Sequence, residues 1–144
     1  MRFDLTRLTV PATLPSVLAS FHADQPKRFW ELFVLERKVR LDGPVNAVLL
    51  QSGLVEAIDD RTVARYRIWP FNNLFFASDL FSYVGSDRVY PVFPDQALSL
   101  WTQVQLTNCA TVLDIGTGSG ILAILAATKG ANVTVIDTNA RAIE

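Results

Sequence analysis

Apolar residues in the last third of the chain fall into two short runs with a helical pattern between them. The runs at 112–115 and 133–136 are rich in Val and Ile and lack a clean alternation with polar residues, which is typical of parallel strands covered on both faces. Between them, residues 121–129 are rich in Ala, Leu and Ile, which favour helix. Gly130 follows at the position of a left-handed C-terminal cap. The pattern therefore predicts a strand, a helix and a second strand parallel to the first.

Two helices are predicted earlier in the chain. Asp24 and Pro26 are a capping side chain and a first-turn proline. The apolar residues after them predict a helix over about 26–38, with its aromatic side chains in the core. Asp42-Gly43-Pro44 begins a second helix, which Gly53 ends.

A β-hairpin is predicted after these helices. Residues 54–58 and 62–69 are its strands, and the second strand alternates so that Arg65 and Arg67 share a polar outer face. Because helices followed by a hairpin are typical of a winged-helix domain, we predict a winged-helix-like unit at about 24–70.

The middle of the chain connects these two regions. It contains a predicted strand at 74–79, an extended run at 89–93 and a helix over 96–106 that Asp95 can cap. The elements predict three regions: a helical, winged-helix-like domain over 1–70, connecting strands and a helix over 71–110, and the strand–helix–strand unit over 111–144.

Composition narrows the class of protein. The chain has 144 residues, half of them hydrophobic, and a formal charge of −1, as a globular protein does. It has no run of about 18 apolar residues, so no membrane-spanning helix is expected. The single cysteine, Cys109, cannot form an internal disulfide, which fits a reducing compartment and predicts a cytoplasmic protein. The lone His22 has no His, Cys or Glu at ligand spacing nearby, so no metal site is expected.

The charge distribution favours a protein partner over nucleic acid. Residues 1–70 hold 10 Lys and Arg against 8 Asp and Glu, whereas residues 71–144 hold 3 against 6. The resulting net charges, +2 and −3, are far from the strongly basic surface that phosphate binding requires. Basic pairs such as Lys27-Arg28 are typical of solvated helix faces.

Glycines and one carboxylate mark a candidate ligand site. Gly116, Gly118 and Gly120 follow the first strand directly, where a missing Cβ permits positive φ and close approach of a ligand. The helix N-terminus behind them offers free N–H groups. Asp137 ends the neighbouring strand, 17 residues after Gly120, where a carboxylate can accept two hydrogen bonds from a ribose diol. The unit is therefore predicted to bind a ligand that contains a nucleoside.

Two residues distinguish between classes of ligand that contain a nucleoside. A dinucleotide fold requires G-x-G-x-x-G/A with a small third position, and Ile121 occupies that position here. The Asp114 carboxylate would repel a pyrophosphate and favour a cationic amino-acid end. Both residues count against a nucleotide-dependent oxidoreductase and favour S-adenosylmethionine, which carries an ammonium, a sulfonium and a ribose diol.

The sequence Val-Leu-Asp-Ile-Gly-Thr-Gly-Ser-Gly at 112–120 resembles motif I of class I S-adenosylmethionine-dependent methyltransferases. The sequence of this motif is most similar to that of the small-domain group, which includes the glutamine methyltransferases of release factors and the ribosomal-protein methyltransferases. The resemblance covers roughly residues 89–144. It implies an α/β fold class, with the start of a Rossmann-like methyltransferase sheet. It also implies S-adenosylmethionine as cofactor and these binding residues: Asp114, Gly116, Thr117, Gly118, Gly120 and Asp137.

The same resemblance implies about six or seven strands, of which only two fit between residue 111 and residue 144. We therefore expect the chain to be the amino-terminal portion of a longer enzyme and to be inactive alone. The catalytic loop of the family would follow residue 144, so no catalytic residue is assigned. The acceptor is expected to be a macromolecule, with the first domain docking it. The alternative is a non-catalytic module whose winged-helix-like part docks a protein or nucleic acid.

Overall fold

The computed structural model describes residues 14–90, 94–104, 106 and 111–143. The chain divides into two compact units, Met1–Phe81 (unit 1) and Ser82–Glu144 (unit 2). Cys109 and most of the predicted extended run, residues 91–93, lie outside the described residues.

Helices open the described part of unit 1. They are α1 (Leu14–Asp24), α2 (Pro26–Phe29), which continues directly as a π-helical turn (Trp30–Val34), and α3 (Gly43–Gln51). Pro26 occupies the first turn of α2, where its missing N–H costs nothing. The predicted capping role of Asp24 is wrong, because the Gln25 N–H still bonds back to the Phe21 carbonyl over 3.0 Å and extends α1 to Asp24. The end of α3 is confirmed, since Gly53 adopts a φ of +74° just beyond it.

The helix predicted over 26–38 ends earlier, at Val34. Leu35 donates its N–H to the Trp30 carbonyl over 2.8 Å, and Glu36 then adopts the left-handed conformation, with φ +54°. The Glu36 carboxylate accepts a hydrogen bond from the Phe81 N–H, 2.6 Å long. A tertiary contact from far along the chain thus coincides with the point where the helix stops.

The core of unit 1 is built on aromatic rings. Phe21, Phe29 and Phe33 are almost fully buried, and their ring centroids lie 5.1–6.4 Å apart in tilted or edge-on pairs. Such pairs add about 0.5–1.5 kcal/mol each beyond the burial of their area. The prediction that these helical aromatics are core residues is confirmed for Phe29 and Phe33.

Two hairpins complete the described part of unit 1. The first pairs β1 (Val55–Ile58) with β2 (Arg61–Ala64), and the second pairs β3 (Arg67–Phe71) with β4 (Leu74–Ser78), both antiparallel. Asn72 and Asn73 form the second turn with φ of 49° and 60°, the pattern of a type I′ turn. An isolated bridge also joins Val39 to Thr62 of β2. The order of helices and hairpin is the one predicted, while the winged-helix assignment stays a prediction.

The single strand predicted over 62–69 is wrong, because β2 ends at Ala64 and the chain leaves the first hairpin after Arg65. Its N–H bonds to the Leu54 carbonyl over 2.9 Å, and β3 then pairs with β4 so that Arg67 lies opposite Ser78. Arg67 is only 7% exposed, so its predicted place on a polar outer face is also wrong. Its guanidinium lies 4.2 Å from the centre of the Phe81 ring.

Unit 2 contains the predicted parallel strand pair. Its elements are α4 (Pro94–Gln103), β5 (Thr111–Ile115), α5 (Ile121–Thr128), β6 (Asn132–Ile136) and a 3₁₀ turn (Ala140–Ala142). Strands β5 and β6 run parallel, with Thr111 opposite Asn132 and Ile115 opposite Ile136.

The cap predicted at Gly130 is confirmed. Gly130 has a φ of +84°, and its N–H bonds to the Ala127 carbonyl over 2.9 Å. The Ala131 N–H reaches the Ala126 carbonyl over 3.3 Å. These two bonds form a Schellman motif, which ends α5 and turns the chain into β6.

One face of the β5–β6 pair is open among the described residues, so the predicted burial of β5 on both faces is wrong there. Leu113 and Ile115 are 57% and 71% exposed, and Ile136 beside them is 47% exposed. Val112 and Val133, on the opposite face, are half-buried. Because the described residues of unit 2 contain this one strand pair, a larger Rossmann-like sheet stays a prediction.

Candidate functional site

The glycine loop, residues 116–120, joins the end of β5 to the start of α5. Gly116 and Gly118 have φ of +73° and +53°, and a Cβ on either would meet no atom within 4 Å. Backbone conformation, not lack of space, therefore requires glycine at these positions. The Gly116 N–H bonds to the Ile136 carbonyl over 2.7 Å, which fixes the start of the loop against the end of β6.

Asp137 lies directly against the glycine loop. Its Oδ2 accepts a hydrogen bond from the Gly118 N–H and its Oδ1 accepts one from the Asn139 N–H, each 2.8 Å long. These backbone donors, Asn139 first and Gly118 second, lower the pKa of Asp137 below its usual value, so the group is ionised at neutral pH. A carboxylate has about four lone-pair sites. Thr138 is a weaker third backbone donor, and the lone-pair capacity that these bonds leave is available to ligand hydroxyls.

Asp114, near the end of β5, forms a second pair with Thr117 of the glycine loop. The Thr117 hydroxyl donates to Asp114 Oδ2 over 2.8 Å, and Thr117 is buried. The bond fixes one carboxylate oxygen of Asp114. A carboxylate next to the glycine loop suits a ligand group that carries positive charge.

The structure brings the six predicted residues into one loop and its neighbouring strand end. Asp114 contacts Thr117, and Asp137 contacts Gly118. Gly120 has a φ of +73° and donates its N–H to the Thr117 carbonyl over 2.8 Å, which closes the loop. Their assignment to cofactor binding stays a prediction.

Sequence reasoning missed Asn139. Its backbone N–H holds Asp137, and its side-chain oxygen accepts a bond from the Arg141 N–H over 3.1 Å, capping the 3₁₀ turn. An Asn shortly after a predicted strand is a turn and capping signal. That signal was present in Asp-Thr-Asn at 137–139.

The described residues contain neither a metal-binding cluster nor a membrane-spanning helix. No group of three or more His, Cys, Asp or Glu there could hold a metal ion. No helix in that part of the chain is long and apolar enough to cross a membrane.

Comparison with known families bears on this same region. Residues 96–144 match the family model of the ribosomal protein L11 methyltransferase, PrmA. The match supports an S-adenosylmethionine-dependent methyltransferase family, and it does not support the narrower release-factor glutamine methyltransferase group. No curated protein matches the chain.

Proposed function

We propose that this chain is the cofactor-binding part of an S-adenosylmethionine-dependent methyltransferase that acts on a protein. The observation that carries the proposal is the Asp137 carboxylate, held against the glycine loop by the Gly118 N–H over 2.8 Å. An ionised carboxylate at the end of β6, beside a glycine loop with open space around Gly116 and Gly118, suits a ribose diol.

The residues present fit the proposed cofactor. Asp137 would accept hydrogen bonds from the ribose hydroxyls through its remaining lone pairs. Asp114 and the glycine loop would hold the cationic amino-acid end, since the Asp114 carboxylate favours positive charge. When bound, S-adenosylmethionine supplies a methyl group activated by its sulfonium. The described residues hold and orient the ligand, and none of them is assigned a catalytic role.

A protein acceptor is the choice that the observations favour. The matched family is named for a methyltransferase of ribosomal protein L11, and the weak net charge of residues 1–70 disfavours phosphate binding. We propose that the helices and hairpins of unit 1 dock the acceptor and that the enzyme works in the cytoplasm. The family match gives no support to a release-factor glutamine acceptor, so the proposal stops at a protein.

Calorimetric titration of the chain with S-adenosylhomocysteine tests the cofactor assignment. We expect binding by the wild-type chain and at least about tenfold weaker binding by Asp137→Asn, because a charged hydrogen bond contributes about 1.5–3 kcal/mol. Asp59→Asn is the matched control. Asp59 is exposed in the first hairpin turn and has a φ of +55°, which Asn also tolerates, so this variant should bind like the wild type.

Three results would contradict the proposal. One is equal affinity in wild type and Asp137→Asn. Another is tight binding of NAD, which would favour an oxidoreductase. The third is no affinity for S-adenosylhomocysteine combined with capture of a partner protein that deletion of residues 24–70 abolishes, which would favour the non-catalytic module.

A further inference from the structure

Two segments of unit 2 that are far apart in sequence are joined by side-chain hydrogen bonds. The first is residues 83–88, here called the brace segment, and the second is the turn at 137–141. Asn139 Nδ2 donates to the Asp87 carbonyl over 2.9 Å and to the Arg88 carbonyl over 3.1 Å. Arg141 Nη1 donates to the same Asp87 carbonyl over 2.9 Å. The turn that contains Asp137 is therefore fixed to the brace segment.

Asn139 bonds three different partners through its backbone N–H, its side-chain oxygen and its side-chain NH₂. Its backbone N–H donates to Asp137 Oδ1 over 2.8 Å, its side-chain oxygen accepts from the Arg141 N–H, and its side-chain NH₂ reaches the brace segment. An aspartate here would keep the accepted bond but place negative charge against two carbonyl oxygens. Only the amide satisfies both sides of this junction.

The brace segment is organised by its own contacts. The Tyr83 hydroxyl donates to Asp87 Oδ1 over 2.6 Å, and the Arg141 guanidinium carbon lies 5.1 Å from the centre of the Tyr83 ring. The same guanidinium lies 3.8 Å from the Asp87 carboxylate. A Cβ on Gly85 would come within 2.2 Å of the Tyr83 hydroxyl, so glycine is what lets the ring pack there.

We propose that the brace segment sets the orientation of the Asp137 carboxylate, with Asn139 as the positioning residue between them. The carboxylate has two short backbone bonds in the described structure, from Gly118 and from Asn139. The first belongs to the glycine loop, and the second is placed by the carbonyls of residues 87 and 88. This inference rests on the proposed function, and it assigns the ribose hydroxyls as the ligand groups whose recognition depends on residues 83–88.

The test compares two ligands, S-adenosylhomocysteine and its 2′-deoxy analogue, by calorimetry on the full chain. In the wild type, loss of the 2′-hydroxyl should weaken binding by about tenfold or more, because it removes a hydrogen bond to a charged acceptor. The ratio compared between variants is the dissociation constant of the 2′-deoxy analogue divided by that of S-adenosylhomocysteine. If the brace segment positions Asp137, Asn139→Asp should reduce this ratio to about threefold or less. A purely structural role of Asn139 would weaken both ligands equally and leave the ratio unchanged.

Two further variants make the outcome decisive. Asn46→Asp in unit 1 is the matched control, because Asn46 accepts a hydrogen bond from the Thr62 hydroxyl over 3.0 Å that an aspartate can also accept. It should keep the wild-type ratio. Asn139→Ser removes the side-chain NH₂ that bonds the Asp87 and Arg88 carbonyls without adding a charge, and its ratio decides the matter should Asn139→Asp fail to fold.

Each result points to one conclusion. A lowered ratio in a folded brace variant supports the inference, and a wild-type ratio in it overturns the inference while the cofactor assignment stands. A wild-type chain that binds neither ligand, or binds both equally, instead overturns the ribose role proposed for Asp137.

Discussion

The two units differ in where their apolar side chains lie. Unit 1 buries Phe21, Phe29 and Phe33 among themselves, whereas unit 2 leaves Leu113 and Ile115 more than half exposed on one face of its strand pair. In the candidate site of unit 2, hydrogen bonds from Gly118 and Asn139 hold the Asp137 carboxylate in place. A hydrophobic core gives unit 1 its stability, and directional polar contacts give the unit 2 site its geometry.

The largest effect should come from removing a ring of the unit 1 core. Phe29 is fully buried and contacts both Phe21 and Phe33, so Phe29→Ala should lower the free energy of unfolding by about 3–5 kcal/mol. Urea unfolding followed by tryptophan fluorescence in a Trp101→Phe background measures it, since the remaining Trp30 and Trp69 rings contact each other in unit 1. Leu35→Ala, at an exposed position, is the control and should cost less than about 0.5 kcal/mol. Similar losses in the two variants would contradict an aromatic core.

The next effect should come from the backbone of the glycine loop. Gly118 has a φ of +53° with open space around it, so Gly118→Ala should cost about 1–2 kcal/mol through strain alone and weaken S-adenosylhomocysteine binding. Gly118→Asn is the informative companion, because Asn tolerates the left-handed conformation better than Ala. Urea unfolding and calorimetry should rank the variants glycine, asparagine, alanine. An alanine variant equal to the wild type would show that the loop does not need this conformation.

A smaller effect is expected on how folding stability depends on pH. The pKa of Asp137 is lowered in the folded chain, so its ionised form stabilises folding above the usual aspartate value of about 4. That contribution is lost as pH falls from about 4 through the folded-state pKa. The urea midpoint of the wild type should therefore fall more steeply between pH 5 and pH 2.5 than that of Asp137→Asn. Parallel curves would show that the two backbone bonds do not favour the ionised form.

The smallest effect is expected on the open face of unit 2. Ile115→Thr keeps a β-branched side chain at a position that is 71% exposed, and should change the free energy of unfolding by less than about 0.5 kcal/mol. Leu125→Ala in α5 is the contrast, since Leu125 is buried and should cost about 2–5 kcal/mol. A loss at Ile115 as large as that at Leu125 would show that this face is covered in solution.

Local structure could be predicted from the sequence. The left-handed cap at Gly130, the parallel strands around the glycine loop and the position of Asp137 at the end of β6 all follow from residue types at short spacing. Glycine conformations and caps depend on a few neighbouring residues. Residue types at short spacing therefore predicted these elements, whereas the set of six candidate site residues is what the resemblance to methyltransferase motif I implies.

Contacts between distant segments were decided only by the tertiary structure. Asn139 meets the Asp87 carbonyl across 52 residues of chain, and Glu36 accepts the Phe81 N–H across 45. The pattern placed Arg67 on a polar outer face, but pairing of β3 with β4 buries it. Alternation along a strand shows which residues share a face. It does not show which face is buried, because burial depends on the segment that the fold packs against that face.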